Sequence, residues 1–160
     1  MILKFINLLS IIINLNLNIS KIHSLKDTVN AYLTIPKISV SRPIYDKEDI
    51  RSNIDENIVF VETSDTPIVK NGNVIIAGHS GSETVSYFKN LYKLKNGDAI
   101  YLEYKKYKYK YIVDNIYLVN KTGKVEIRRD DTIETITLIT CFGKDKQLVI
   151  IGNKANKTKK

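Results

Sequence analysis

Cys141 is the only cysteine in the chain, and it ends the run Thr135-Ile136-Thr137-Leu138-Ile139-Thr140-Cys141. That run is mostly β-branched, which predicts a buried strand. It stops at Phe142-Gly143-Lys144-Asp145, a stretch with turn character. A thiol at the mouth of a rigid strand is held in place for nucleophilic attack. A second apolar run, Val74-Ile75-Ile76-Ala77-Gly78, delivers His79 into the Gly/Ser loop Ser80-Gly81. A thiol attacks as the thiolate and needs a neighbouring base or cation. An imidazole meets that need and can then carry protons to and from amines. Cys141 and His79 are thus the minimum parts of a cysteine transpeptidase or protease. The bland alternative is a buried structural cysteine and a loop histidine. His23 lies in a polar stretch and reads as a solvated bystander.

The elements that must position these residues are short. Residues 20–31 are polar and read as a linker. Tyr32–Ile38 and Val40–Ile44 read as two strands, or as one bent strand, with Pro36 and Pro43 placing them at an edge or bend. The charged stretch Asp46–Asn57 has room for a short helix, and Ile58–Val61 is a brief apolar run. Ser82-Glu83-Thr84 predicts a cap for a helix from Val85 to about Leu94, with Val85, Phe88, Leu91, Tyr92 and Leu94 near helical spacing. Strands follow at Ala99–Tyr104, Tyr107–Tyr117, Val125–Arg128, Thr135–Thr140 and Gln147–Ile151. Many short strands with one or two small helices predict an all-β barrel or sandwich.

A length of 160 residues suggests one domain with a real core. The net charge of +8 biases the protein toward anionic partners such as nucleic acid, a bilayer surface or a polyanionic envelope. One cysteine excludes an intramolecular disulfide framework and a cysteine-cluster metal site. Residues 1–19 have the charge and apolar character of a signal or anchor segment, interrupted by Asn14, Asn16 and Asn18. That is short and polar for a spanning helix.

Lys106-Tyr107-Lys108-Tyr109-Lys110-Tyr111 alternates strictly, so a strand there puts lysines on one face and tyrosines on the other. Nucleic-acid binding would want the aromatic rings on the basic side. A half-buried barrel strand with a solvated lysine face is the better reading. The acidic residues Asp55, Glu56, Glu62 and Asp65 form a loose cluster and read as solvated.

Four motifs occur together. They are Leu33-Thr34-Ile35-Pro36-Lys37-Ile38, Asn73-Val74-Ile75-Ile76-Ala77-Gly78-His79, Phe88-Lys89-Asn90-Leu91-Tyr92-Lys93-Leu94-Lys95-Asn96-Gly97-Asp98 and Thr137-Leu138-Ile139-Thr140-Cys141. In this order they resemble the sortase family, surface enzymes that join secreted proteins to the envelope of Gram-positive cells. The last matches the TLxTC signature, and the resemblance covers roughly residues 32–152. It implies a sortase-like closed β-barrel of about eight strands as the catalytic domain, residues 32–152. Residues 1–19 are then a signal or anchor, 20–31 a linker and 153–160 a basic tail. It also implies a cysteine transpeptidase on the extracytoplasmic face of the membrane, with Cys141 as nucleophile and His79 as acid and base. The implied partners are a sorting-signal-bearing secreted protein or pilin and an amine acceptor such as a peptidoglycan precursor. The membrane is contacted through the N-terminus. No cofactor, metal or nucleic acid is implied. Thr140, beside the nucleophile, is expected to contact substrate or orient the site.

The family also uses an arginine before the last apolar strand. Here the stretch is Lys146-Gln147-Leu148-Val149-Ile150, so Gln147 stands at the arginine position. An amide can donate to an oxyanion but carries no charge. Strand alternation sends Lys146 to the opposite face. Three readings stay open: Gln147 suffices, another cation such as Arg128 or Arg129 substitutes, or the chemistry is impaired. The alternatives are therefore a sortase-fold peptide binder and a non-catalytic basic barrel that binds an anionic polymer.

Overall fold

The β-branched runs become strands because each can bury one face in a shared interior. A computed structural model describes residues 11–15, 29–82 and 84–155. It has eight strands: β1 (Val29–Ile35), β2 (Val40–Tyr45), β3 (Val59–Phe60), β4 (Asn73–Ala77), β5 (Ala99–Tyr104), β6 (Tyr107–Asn120), β7 (Thr135–Phe142) and β8 (Lys146–Lys154). They form one sheet in the order β2-β1-β5-β6-β8-β7-β4-β3. Every pairing is antiparallel except β4 with β7. The two edge strands, β2 and β3, come into contact, so the sheet nearly closes into a barrel. Buried Asn57 ties that seam: its amide donates to the Pro43 carbonyl at 2.9 Å, and its oxygen accepts from Arg42 Nε at 3.4 Å. Leu33, Ile35, Ile76, Leu102, Leu138 and Ile150 are among the side chains that fill the interior.

Several local expectations change. Pro36 does not bend a continuous strand. It starts a single 3-10 turn, Pro36–Ile38, and Ser39 follows at φ 54°, so β1 and β2 form a hairpin. The expected helix from Val85 to Leu94 is replaced by successive turns and one 3-10 turn, Leu91–Lys93. Phe88, Leu91 and Leu94 are all buried. Their spacing of three suits three residues per turn as well as it suits an α-helix. The Lys89, Leu91 and Leu94 amides all donate three residues back, and the Phe88 amide donates to the His79 carbonyl. Glu83 of the expected cap lies outside the described residues. Asp46–Asn57 holds turns, not a helix.

Val125–Arg128 is not a strand. The Tyr117 phenol takes the place of a ladder, donating to the Glu126 carbonyl at 2.9 Å and accepting from the Arg128 amide at 2.7 Å. The lysine–tyrosine run of β6 behaves as expected at its far end: Tyr111 is fully buried, while Lys106, Lys108 and Lys110 are exposed. Tyr107, near the turn, is also exposed. Most of the apolar segment 1–19 and residues 20–28 lie outside the described residues. Within it, residues 11–15 are helical and exposed. Among the described residues no helix is long and apolar enough to cross a membrane.

Candidate active site

β4 and β7 run parallel with Ala77 opposite Ile139. The pairing continues past the end of β4. The Gly78 amide donates to the Ile139 carbonyl at 3.2 Å. The Thr140 hydroxyl donates to the Gly78 carbonyl at 2.6 Å. The Ser80 hydroxyl donates to the Cys141 carbonyl at 2.5 Å. These bonds bracket His79 and Cys141, so the two residues lie side by side at about one interstrand spacing, roughly 5 Å. Cys141 is half-buried with a free thiol.

β7 and β8 are antiparallel, and Gln147 is the residue directly opposite Cys141. Opposed residues of an antiparallel pair share a face, so the amide and the thiol project from the same side of the sheet. Lys146 is opposite Phe142, one position along, and belongs to the other face. Thr140 is 4% exposed, and its hydroxyl is committed to Gly78. Its place is therefore beneath the site, where it holds the end of β4 against β7.

The His79 ring has a partner that the sequence did not suggest. Its Nε2 lies 3.1 Å from Asp55 Oδ1. No hydrogen bond joins the ring to Cys141 among the described residues; the Asp55 contact occupies one ring nitrogen and leaves the other. Asp55 sits on a turn set by Asn53, whose side chain accepts from the Asp55 amide at 3.0 Å. Buried Asn57 anchors that turn to β2. Asp55 is 24 residues upstream of His79, in a charged stretch, and no local pattern marks it. Glycine at 78 is required by space: a Cβ there would lie 2.8 Å from Ile58 Cγ2 and 3.0 Å from Phe88 Cδ2.

The nearby cations divide clearly. Arg129 donates to the Asn71, Asp130 and Ile133 carbonyls and to Thr135 Oγ1. Thr135 begins β7, six residues before Cys141, so Arg129 is committed about 20 Å away along the strand. Arg128 pairs with Glu126 at 2.9 Å and lies over the Tyr117 ring. That hydrogen bond holds the Glu126 carboxyl below its usual range. Tyr117 is opposite Val149 on β8, two residues from Gln147. Lys89 is exposed and lines a pocket of about 180 Å³ with Ser80, Phe88, Tyr92, Cys141 and Leu148. A larger pocket, about 420 Å³, lies at the barrel seam against Tyr45, Phe60, Asp65 and Tyr104 and includes neither Cys141 nor His79. The acidic residues before β4 are dispersed: Asp55 meets His79, and Asp65 accepts from the Asn73 amide at 2.8 Å. Among the described residues no three His, Cys, Asp or Glu side chains converge as a metal site.

Comparison with known proteins gives a consistent result. Residues 33–155 match the family described as the sortase domain. The chain is 30% identical over 133 residues to sortase A of Bacillus anthracis, covering 80% of this chain and 60% of that protein. It therefore spans less than two thirds of that relative's length. Among solved structures, it is similar to a lid mutant of sortase A from Corynebacterium diphtheriae, with a TM-score of 0.70, 28% identity, and 80% of this chain and 70% of that chain covered. It is similar also to sortase C-1 from Actinomyces oris, with a TM-score of 0.70, 30% identity, and 81% and 73% covered.

Proposed function

The chain belongs to the sortase family, and from that premise we propose that it is a cysteine transpeptidase whose nucleophile is Cys141. The observation that carries this reading is the placement of Cys141, His79 and Gln147. The first two lie at the ends of adjacent parallel strands, and the third, on β8, is directly opposite Cys141. The Cys141 thiolate attacks the carbonyl carbon of a sorting-signal peptide bond. Electron density moves to the oxygen, where the Gln147 amide donates a hydrogen bond. The C–N bond breaks as the His79 imidazolium protonates the leaving amine, and a thioester remains on Cys141. An acceptor amine then attacks the thioester, gives a proton to His79 and expels the thiolate.

Asp55 orients the imidazole from its other nitrogen. Thr140 and Ser80 act by holding the ends of β4 and β7 together. The sorting-signal protein or pilin and the peptidoglycan-type amine are the partners this chemistry serves. The catalytic domain expected at residues 32–152 extends slightly at both ends, to the limits of the sheet at Val29 and Lys154. Residues 1–19 act as an export or anchoring segment; the linker reaches only to residue 28, because Val29 already begins β1, and the basic tail starts after Lys154, the last residue of β8. This arrangement suits work on the extracytoplasmic face of the membrane.

A second reading is favoured by one observation: the β8 residue facing Cys141 is uncharged, and Arg129 is committed elsewhere. On that reading the chain is a sortase-fold peptide binder with impaired chemistry. Product analysis separates the two. Sorting peptides incubated with an amine nucleophile are expected to yield the transferred peptide–amine product, and Cys141→Ala is expected to abolish it. Peptide binding without product in the natural chain would favour the second reading.

A further inference from the structure

β5 and β6 are joined by a two-residue turn, Lys105-Lys106, with Tyr104 opposite Tyr107. Lys105 has φ 55°, a conformation for which hairpins ordinarily select glycine or asparagine. The turn therefore carries a charged side chain where local geometry disfavours one, and a second lysine beside it. Tyr107 is 66% exposed. Lys108 and Lys110 are exposed on the adjoining strand, with Lys108 paired to Glu103 at 3.2 Å and lying 5.0 Å over the Tyr101 ring. The register thus lifts an aromatic ring from β5 onto the lysine face, which the alternation within β6 alone does not reveal.

The position of this turn is specific. Ala31 of β1 is opposite Tyr104, so the chain enters the barrel beside the turn. The Ala155 amide, just after β8, donates to the Lys110 carbonyl, so the chain also leaves there. The row Val119–Gln147–Cys141 lies at the other end of β6. Upstream, the apolar stretch that ends at Ile19 is separated from β1 by the nine residues 20–28. Nine residues reach at most about 30 Å. Lys21 and Lys26 fall before β1, and Lys157, Lys159 and Lys160 fall after β8.

We propose that the β5–β6 turn, through Lys105, Lys106 and Tyr107, is a docking surface for the anionic phospholipid headgroups of a bilayer. Lysines near such a surface are attracted to it, and a tyrosine is suited to the polar–apolar boundary. Docking holds the barrel with this turn toward the membrane and the Cys141 end away from it, toward substrates. The inference rests on the location proposed above and not on the chemistry, so its test does not involve Cys141.

The chain has no tryptophan, so Tyr107→Trp installs a single reporter at the turn, and Tyr92→Trp installs one beside the Cys141 pocket. Full-length protein is mixed with vesicles of phosphatidylcholine, alone or with phosphatidylglycerol, containing headgroup-spin-labelled lipid. The expected result is strong quenching of the Tyr107→Trp variant with phosphatidylglycerol, much less without it, and little quenching of the Tyr92→Trp variant in either. Adding Lys105→Glu and Lys106→Glu is expected to weaken the phosphatidylglycerol-dependent quenching roughly tenfold or more. Lys105→Gly separates docking from folding: it suits the positive φ and is expected to raise the melting temperature while still weakening docking. Equal quenching at the two reporters, no dependence on phosphatidylglycerol, or no effect of charge reversal would overturn the proposal.

Discussion

The loop that carries His79 rests on a glycine with no space around it, and Gly78→Ala tests how far the site depends on that packing. A Cβ at this position would lie 2.8 Å from Ile58 Cγ2, 3.0 Å from Phe88 Cδ2 and 3.2 Å from Phe88 Cγ. Both neighbours are fully buried core side chains, so neither can swing into solvent. The backbone of Gly78 is itself held, because its amide and carbonyl both bond β7. Overpacking of this kind costs about 1–3 kcal/mol. For a domain of this size that is a drop of about 3–10 °C in melting temperature.

The strain is relieved by moving the segment that positions His79, so turnover should fall by roughly 10–100-fold, the scale of an ångström-level misplacement. Gly81→Ala is the control. Its nearest contact would be Ser86 Oγ at 3.5 Å, and its φ is not positive, so it should be neutral or slightly stabilising. Ile58→Leu removes the γ2 methyl. The double variant Gly78→Ala/Ile58→Leu should therefore lose less stability than the two single changes summed. Urea melts and single-turnover kinetics on these four variants and the natural chain decide the matter. A Gly78→Ala protein as stable and active as Gly81→Ala would refute the packing argument.

His79→Ala should lower turnover by roughly 10²–10⁴, and His23→Ala should change little; equal effects in a peptide–amine transfer assay would remove His79 from its assigned role. Asp55→Ala should cost less than about tenfold, because the carboxylate it removes is exposed and screened. Gln147→Ala should cost roughly 10²-fold if the amide meets the oxyanion, and Gln147→Arg should retain or raise activity. Near-natural turnover in Gln147→Ala would send the search to Lys89 and Arg128. Tyr111→Phe should be neutral or stabilising by about 1 kcal/mol at neutral pH, because the buried hydroxyl has no hydrogen-bond partner among the described residues. Burial pushes the Tyr111 phenol up, aided by Tyr109 and Glu134. The unfolded phenol therefore ionises first, stability falls as pH rises above about 10, and Tyr111→Phe should flatten that fall in denaturant melts.

The strands were legible because Thr135–Cys141, Val74–Ala77 and Leu148–Ile151 are apolar and β-branched in lengths that only strands use. Gln147 was marked by its place before Leu148, at the arginine position of the family it resembles; that it lies opposite Cys141 comes from the β7–β8 register. The parallel pairing of β4 with β7 is different in kind. It joins residues more than 60 apart, and no local pattern encodes which strands meet or in which direction. The same distance hides Asp55, whose approach to His79 depends on a turn anchored by Asn57 to β2. The helix expected at Val85–Leu94 failed because Phe88, Leu91 and Leu94 recur every three residues, a spacing shared by α-helices and 3-10 turns. Val125–Arg128 failed because Tyr117 supplies from a side chain the bonds that a neighbouring strand would have supplied.

The most direct test of the account is the mass of the intact protein during turnover. With a single cysteine, an acyl-enzyme can form as a thioester only at Cys141. Mixing the protein with sorting peptides should give an adduct equal to the acyl fragment. Hydroxylamine should release it, and Cys141→Ala should show none. An adduct or a transferred product that persists in Cys141→Ala would contradict the central claim.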